Sequence, residues 1–154
     1  MTPDQNAAIG KSVFAAGSVA GLLERQAGRF PDVDLLVLPA KVQALWPDEP
    51  ACVSYAQMQE RVRVLSEAYR AAGYGRGHRV ALSLENRPSH FLHWLAANRA
   101  GASVVPINPD LKADEAGYIL GHSDACLLVR LASHAGTVDP VAKTLGLPVI
   151  EPGE

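Results

Sequence analysis

Arg79-Val-Ala-Leu-Ser-Leu-Glu-Asn-Arg-Pro-Ser-His-Phe-Leu-His-Trp-Leu-Ala-Ala-Asn-Arg-Ala-Gly-Ala-Ser-Val-Val-Pro-Ile-Asn-Pro-Asp110 is the stretch that decides the fold. Val80 to Leu84 is a short apolar run of the kind that fills a parallel strand covered on both faces. Asn86 offers a helix cap, and Pro88 falls in the first turn, where a missing N–H costs little. Leu92, Leu95, Ala96 and Arg99 then recur at spacings of three and four, with Phe91 and Trp94 beside them. Gly101 supplies the left-handed residue that commonly ends a helix. Ser103 to Ile107 reads as the returning strand, and Asn108-Pro109-Asp110 turns the chain away. A crossover of this length makes the two strands parallel and the connection right-handed. Both strands are expected at the centre of a sheet.

The rest of the chain extends the same pattern. Residues 1–17 show no clear period and are expected to form a loose N-terminal arm, leaving residues 18–154 as one α/β unit. Ser18 can cap a helix with the apolar stripe Val19, Leu22, Leu23, Ala27 and Phe30, closed before Pro31. Leu35 to Leu38 reads as a buried strand, and residues 39–52, rich in proline, as a long hairpin arm with Trp46 against the body. Ser54 and Gln57 have capping-box spacing. Met58, Val62, Leu65, Tyr69 and Ala72 follow as one buried stripe, stopped by Gly73. Asp114 and Glu115 favour the start of another helix through its dipole, with Tyr118, Ile119 and Leu120 facing inward. Ala125 to Leu131 is a strand, Asp139-Pro140 opens a short helix closed at Gly146, and Val149-Ile150 begins one more strand. Alternation of this kind implies an α/β fold with a mainly parallel sheet flanked by helices.

Composition removes several function classes. A chain of 154 residues suits one domain and buries roughly 70% of its unfolded surface, so a core needs no disulfide or metal. A net charge of −2 gives no long-range attraction for nucleic acid or anionic lipid. No apolar run approaches the roughly 20 residues of a membrane span, and the start, Met-Thr-Pro-Asp-Gln-Asn, lacks the pattern of a secretory signal. Cys52 and Cys126 are too few and too distant for a disulfide framework or zinc site. A cytoplasmic protein with reduced thiols is expected.

Motifs that carry chemistry fail on context. Gly73-Tyr74-Gly75-Arg76-Gly77 has the glycines of a dinucleotide loop, but that loop must leave a strand and enter a helix. Here a helix precedes and a strand follows, which makes it a plain turn. Gly10-Lys11-Ser12 resembles the end of a phosphate loop, but Gln5 stands where its leading glycine belongs. His90 and His93 have a spacing that can share a metal, yet no carboxylate or cysteine nearby completes the set, so surface or partly packed histidines are expected. His78, His122 and His134 sit near element ends with no evident partner. Cys126, inside an apolar run, reads as packing.

Glu85-Asn86-Arg87-Pro88, Leu95-Ala96-Ala97-Asn98-Arg99-Ala100-Gly101 and Val105-Pro106-Ile107-Asn108-Pro109 together resemble the N-terminal part of acyl-CoA synthetases of the adenylate-forming ligase superfamily. Val53-Ser54-Tyr55, Gly77-His78-Arg79-Val80-Ala81, and Ile119-Leu120 followed by His122-Ser123 extend the likeness over roughly residues 18–150. Two positions depart from the family. His78 stands where Asp is usual, which puts the local turn in question. Ile107-Asn108-Pro109 stands where peptide-synthetase adenylation domains tend to have Leu-Asp, which tilts the parent towards CoA ligases. The resemblance implies a parent that joins a fatty or aromatic acid to CoA through an acyl-adenylate, using ATP, magnesium and CoA. The ATP phosphate loop, acidic ribose or magnesium residue and catalytic lysine of that family come after the matching segment, so no catalytic residue carries over. The chain is expected to be an N-terminal fragment, inactive and binding no cofactor alone, with the rest of the ligase chain as partner and a homodimer as a further option. Lys112 is the one cofactor-binding candidate, placed by the likeness near a CoA phosphate. The competing expectation is a stand-alone, non-catalytic α/β interaction module.

Overall fold

The computed structural model describes residues 15–153, so the Gly10-Lys11-Ser12 reading and most of the proposed loose arm lie outside the described residues. Helix α1, Val19–Arg29, begins where the Ser18 hydroxyl accepts the Gly21 N–H at 3.0 Å. Strand β1, Asp34–Val37, runs antiparallel to β2, Cys52–Ser54, and the arm joining them carries one short helix, α2, Ala40–Gln43. Helix α3, Tyr55–Ala71, starts with both halves of the capping box formed between Ser54 and Gln57. Then come β3, Arg79–Ser83; α4, Pro88–Ala100; β4, Ser103–Pro106; and α5, Ala113–His122. Strand β5, Leu127–Arg130, a single 3-10 turn, Ala132–His134, helix α6, Ala135–Leu145, and β6, Val149–Ile150, complete the chain.

The main sheet has the order β4-β3-β5-β6 with every pair parallel. Its pleat divides the core in two. Val80, Leu82, Leu127 and Val129 pack with Tyr69, Ala96 and Ala97 of α3 and α4. Ala81 and Leu128 point the other way, onto Ala116 and Leu120 of α5 and Val138 and Ala142 of α6. A third layer lies outside α4, where Leu23, Val53, Met58 and Val62 meet Leu95. Leu82 and Leu128 are completely buried, worth about 2 kcal/mol each in removed apolar surface.

That third layer corrects the simple stripe expected for α4. His93, Leu95, Ala96 and Ala97 are all buried, because the sheet covers one side and α1 with the β1–β2 hairpin covers another. The strand expected at Leu35–Leu38 is buried only in part and belongs to the small hairpin instead of the main sheet. In α1 the inward residues are Ala20, Leu23 and Ala27, while Val19 and Phe30 at its ends are exposed. In α3, Ser66 takes the place expected of Ala72, which is exposed; its hydroxyl donates to the Arg63 carbonyl at 2.8 Å and so enters the core satisfied.

β4 is an edge strand and not a central one. The Ser103 and Ile107 N–H groups donate to the His78 and Leu82 carbonyls of the β3 side, both at 2.9 Å. The alternate residues Val104 and Pro106 therefore turn their amide positions outward, where proline has no N–H to leave unpaired. Helix α6 begins at Ala135, four residues before the expected Asp139. Pro140 lies inside it, on an exposed face where the carbonyl it cannot bond is open to water. Tyr118 also faces outward, its ring stacked on His122 at 5.4 Å, because Ala116 and Leu120 already fill the inner face of α5. Gly101 closes α4 at φ +97, a left-handed conformation that selects glycine.

Candidate functional site

Ligands of parallel α/β sheets collect outside the carboxyl ends of the strands. Here the two loops leaving β3 and β4 meet in one cleft of about 610 Å³, with Glu85, Asn86 and His90 on one wall and Asn108 and Asp110 on the other. Asn108 shapes its own wall, its side-chain oxygen accepting the Asp110 N–H at 3.1 Å. Burial pushes the His90 imidazole below its usual range, so it stays neutral at physiological pH. Formal charge in the cleft therefore comes from Glu85 and Asp110 and is negative.

A second cleft, about 390 Å³, opens across the ends of β5 and β6 and reaches the start of α4, with Arg87, Ser89, His93, Ser133 and Glu151 in its lining. Its framework is a latch that sequence spacing does not reveal. Arg87, and not Asn86, is the N-cap of α4, and its side chain makes no capping bond. The cap comes from the arm, where the Glu49 carboxylate accepts the Ser89 N–H at 3.1 Å. The same Glu49 oxygen lies 3.0 Å from Arg87 Nε, both side chains being more than nine-tenths buried. The pair is a close ionic contact whose N–H direction misses hydrogen-bond geometry. Arg87 Nη2 donates to Asp48 at 3.0 Å, and its guanidinium stands 5.2 Å from the centre of the Trp46 ring. Trp46 does lie against the body, and Arg87 is what it lies against.

Four histidines acquire partners that the sequence left unnamed. Tyr69 donates to His93 Nδ1 at 2.7 Å in a fully enclosed site, where burial and the neighbouring His90 lower the His93 pKa to about 4. Burial raises that of Tyr69. His78 Nδ1 accepts the Gly75 N–H at 3.1 Å, so the imidazole serves the turn. His134 Nδ1 donates to the Ser83 carbonyl at 2.8 Å, pinning the 3-10 turn to the end of β3. His122 is held by Tyr118. Cys126 sits just ahead of β5, its thiol donating to the Arg79 carbonyl at 3.2 Å. Arg130 joins Asp139, by two bonds at 2.9 Å, to Glu151, and so fixes the chain as it leaves β6.

Lys112 is exposed and occupies the N-cap position of α5. Its N–H donates to Glu115 at 2.9 Å, and Asp114 stands in the same first turn. It does not line the cleft beside it. Among the described residues no group of three His, Cys, Asp or Glu side chains is placed to hold a metal ion. The Gly73–Gly77 run is the turn from α3 to β3, with no helix N-terminus behind it. The larger cleft offers two carboxylates and a neutral imidazole to a polyphosphate, which would be repelled. No described helix is long and apolar enough to cross a membrane.

The sequence model of the family described as AMP-binding enzyme matches residues 23–151. A Bacillus subtilis protein named as an acyl-CoA synthetase, YngI, is 30% identical over 123 residues, covering 80% of this chain and 21% of that relative. The crotonobetaine/carnitine–CoA ligase of Escherichia coli is 35% identical over 79 residues, covering 51% of this chain and 15% of its own length. A solved long-chain-fatty-acid-CoA ligase of Archaeoglobus fulgidus has the same fold over 89% of this chain and 27% of its own, with a TM-score of 0.79 at 23% identity. The chain thus spans under a third of the length of each of these three proteins.

Proposed function

The chain belongs to the AMP-binding enzyme family, and from that premise we propose that it forms the first part of the large N-terminal domain of an ATP-dependent acid–CoA ligase. The observation that carries this reading is the match across residues 23–151, running through the whole main sheet. The parent reaction would join a carboxylate to ATP, giving an acyl-adenylate and pyrophosphate, and then transfer the acyl group to the CoA thiol in the cytoplasm. This segment would contribute structure, one wall at the carboxyl ends of β3 and β4, with the rest of the ligase chain as its partner. By itself it would be inactive, since the acidic cleft presents no lysine or arginine to a polyphosphate.

Two measurements test this. The 154-residue chain should show no micromolar affinity for Mg-ATP by calorimetry and release no pyrophosphate with a panel of carboxylates, whereas the reading frame extended beyond Glu154 should do both. An extended frame without turnover would leave the stand-alone interaction module as the better description. The second concerns Lys112, proposed to touch a CoA phosphate in the parent, where its exposed ammonium has to outweigh Asp114 and Glu115. Lys112→Ala in the longer chain should weaken CoA binding a few fold at low salt, the order of one exposed charge contact, and leave adenylation unchanged. Equal calorimetric CoA affinity in variant and parent would remove Lys112 from the site.

A further inference from the structure

The layer outside α4 has an unfilled seam. A groove of about 280 Å³ runs between α1, β1 and α4, with Val19, Leu22 and Gln26, Leu35, and Phe91 and Trp94 in its lining. No charged side chain among the described residues lines it. Leu35, Phe91 and Trp94 pack against the third core layer but are only partly buried. On α1 the cause lies in the spacing. Ala20, Leu23 and Ala27 fill the inward row. Val19, Leu22 and Gln26, at steps of three and four, form a second row that faces the groove and leaves Val19 41% exposed.

Two features point upstream of α1 for what fills this seam. Leu22 is the fourth residue of a helix capped by Ser18, the position that often packs on the residue before the cap. That residue is Gly17, which has no side chain to offer, so the local partner of Leu22 is missing. The path of the chain is the second feature. A Cβ at Gly21 would stand 2.3 Å from the Ala16 carbonyl oxygen, so the chain reaches α1 folded back against its first turn, next to Leu22. The residues ahead of Ala15 include the apolar runs Ala7-Ala8-Ile9 and Val13-Phe14, with Asp4 and Lys11 as their only charged side chains. From Val19 to Gln26 is about 10 Å of helix, and a segment as long as residues 1–14 covers roughly 20 Å even at helical rise. The groove is within its reach, and the uncharged lining suits Ile9, Val13 and Phe14.

We propose that residues 1–14 of this chain dock in the groove, with Ile9, Val13 and Phe14 supplying the apolar side chains that the layer of α1, β1 and α4 lacks. The inference is independent of the ligase reading, since the groove and its occupant belong to the same chain.

The test uses the whole chain. With Trp46→Phe as the background, Trp94 is the one tryptophan left and reports on the groove it lines. Phe14→Ser and Ile9→Ser should each shift Trp94 emission to the red, and together should lower the melting temperature by at least about 4 °C. Val19→Ser supplies a double-mutant cycle. Its melting shift should be smaller in the Phe14→Ser chain than in the parent, since the effects of side chains in contact do not add. The apolar dye anilinonaphthalenesulfonate should brighten with the Phe14→Ser chain and stay dim with the parent. Circular dichroism should show the helices and sheet kept in each variant, and Val13→Ala, a milder change, repeats the comparison if a serine variant unfolds. Unchanged emission with additive melting shifts would overturn the proposal, as would a parent that binds the dye as strongly as the variant. Emission that responds to protein concentration and not to Phe14→Ser would assign the groove to a second copy, again overturning it.

Discussion

Acid should loosen the α3–α4 interface through a single imidazole. His93 is 1% exposed, accepts the Tyr69 hydroxyl at 2.7 Å, and has its pKa lowered from the usual 6.5 to about 4 by burial and by the nearby His90. The folded protein takes up this proton only below pH of about 4, whereas the unfolded chain takes it up below about 6.5. Between those values the unfolded state binds more protons, so stability is fully present above pH 6.5 and is lost as pH falls through 4. Holding the imidazole at about 4 instead of 6.5 corresponds to about 3 kcal/mol, a large share of the 5–15 kcal/mol typical of a domain. The assay is urea unfolding followed by circular dichroism at pH 8, 6.5, 5 and 4, in the parent and in His93→Gln. The glutamine amide oxygen can still accept from Tyr69 but does not titrate. The variant should lose about 1–2 kcal/mol at pH 8 from imperfect replacement of a buried bond, and its disadvantage should shrink or reverse by pH 4. A parent and variant whose stabilities fall in parallel from pH 6.5 to 4 would refute the assignment of a neutral, enclosed His93.

Two further outcomes probe the framework around the site. Glu49→Leu leaves Arg87 buried with only the exposed Asp48 as an ionic partner and uncaps Ser89, and should cost about 3 kcal/mol in urea unfolding. The double variant with Arg87→Met should recover part of that loss, and a single variant as stable as the parent would mean that the latch contributes nothing. Leu95→Asp places a carboxylate in the layer between α4 and the hairpin and should unfold the domain, at a cost of several kcal/mol. An unchanged melting curve by circular dichroism would show that α4 is packed in another orientation.

Features fixed by neighbouring residues were legible in the chain itself. Ser18, the Ser54–Gln57 box, Gly73 and Gly101 mark helix ends, since a cap depends on groups three or four positions away. The β3–α4–β4 unit was equally plain, because continuous apolar strands and a helix between them leave one topology. Those same residues carry the family resemblance that the sequence model bears out over residues 23–151. Of the site, the sequence indicated which loops lie at the strand ends, though not that Lys112 stands outside the cleft they form.

The tertiary structure decided what depends on residues far apart in the chain. Glu49 caps Ser89 from 40 residues away, and Tyr69 meets His93 across 24, neither of which leaves a periodic trace. α4 looked one-sided because helical periodicity reports a boundary with water, and this helix has little such boundary once a third layer covers its outer side. Strand order was hidden for a related reason. An edge strand half-covered by helices reads as apolar as a central one, and only the direction of the missing Pro106 N–H, set by pairing with β3, places β4 at the rim. Local chemistry thus wrote the elements and their ends into the sequence, while burial, a property of what packs against what, was settled only when the layers closed.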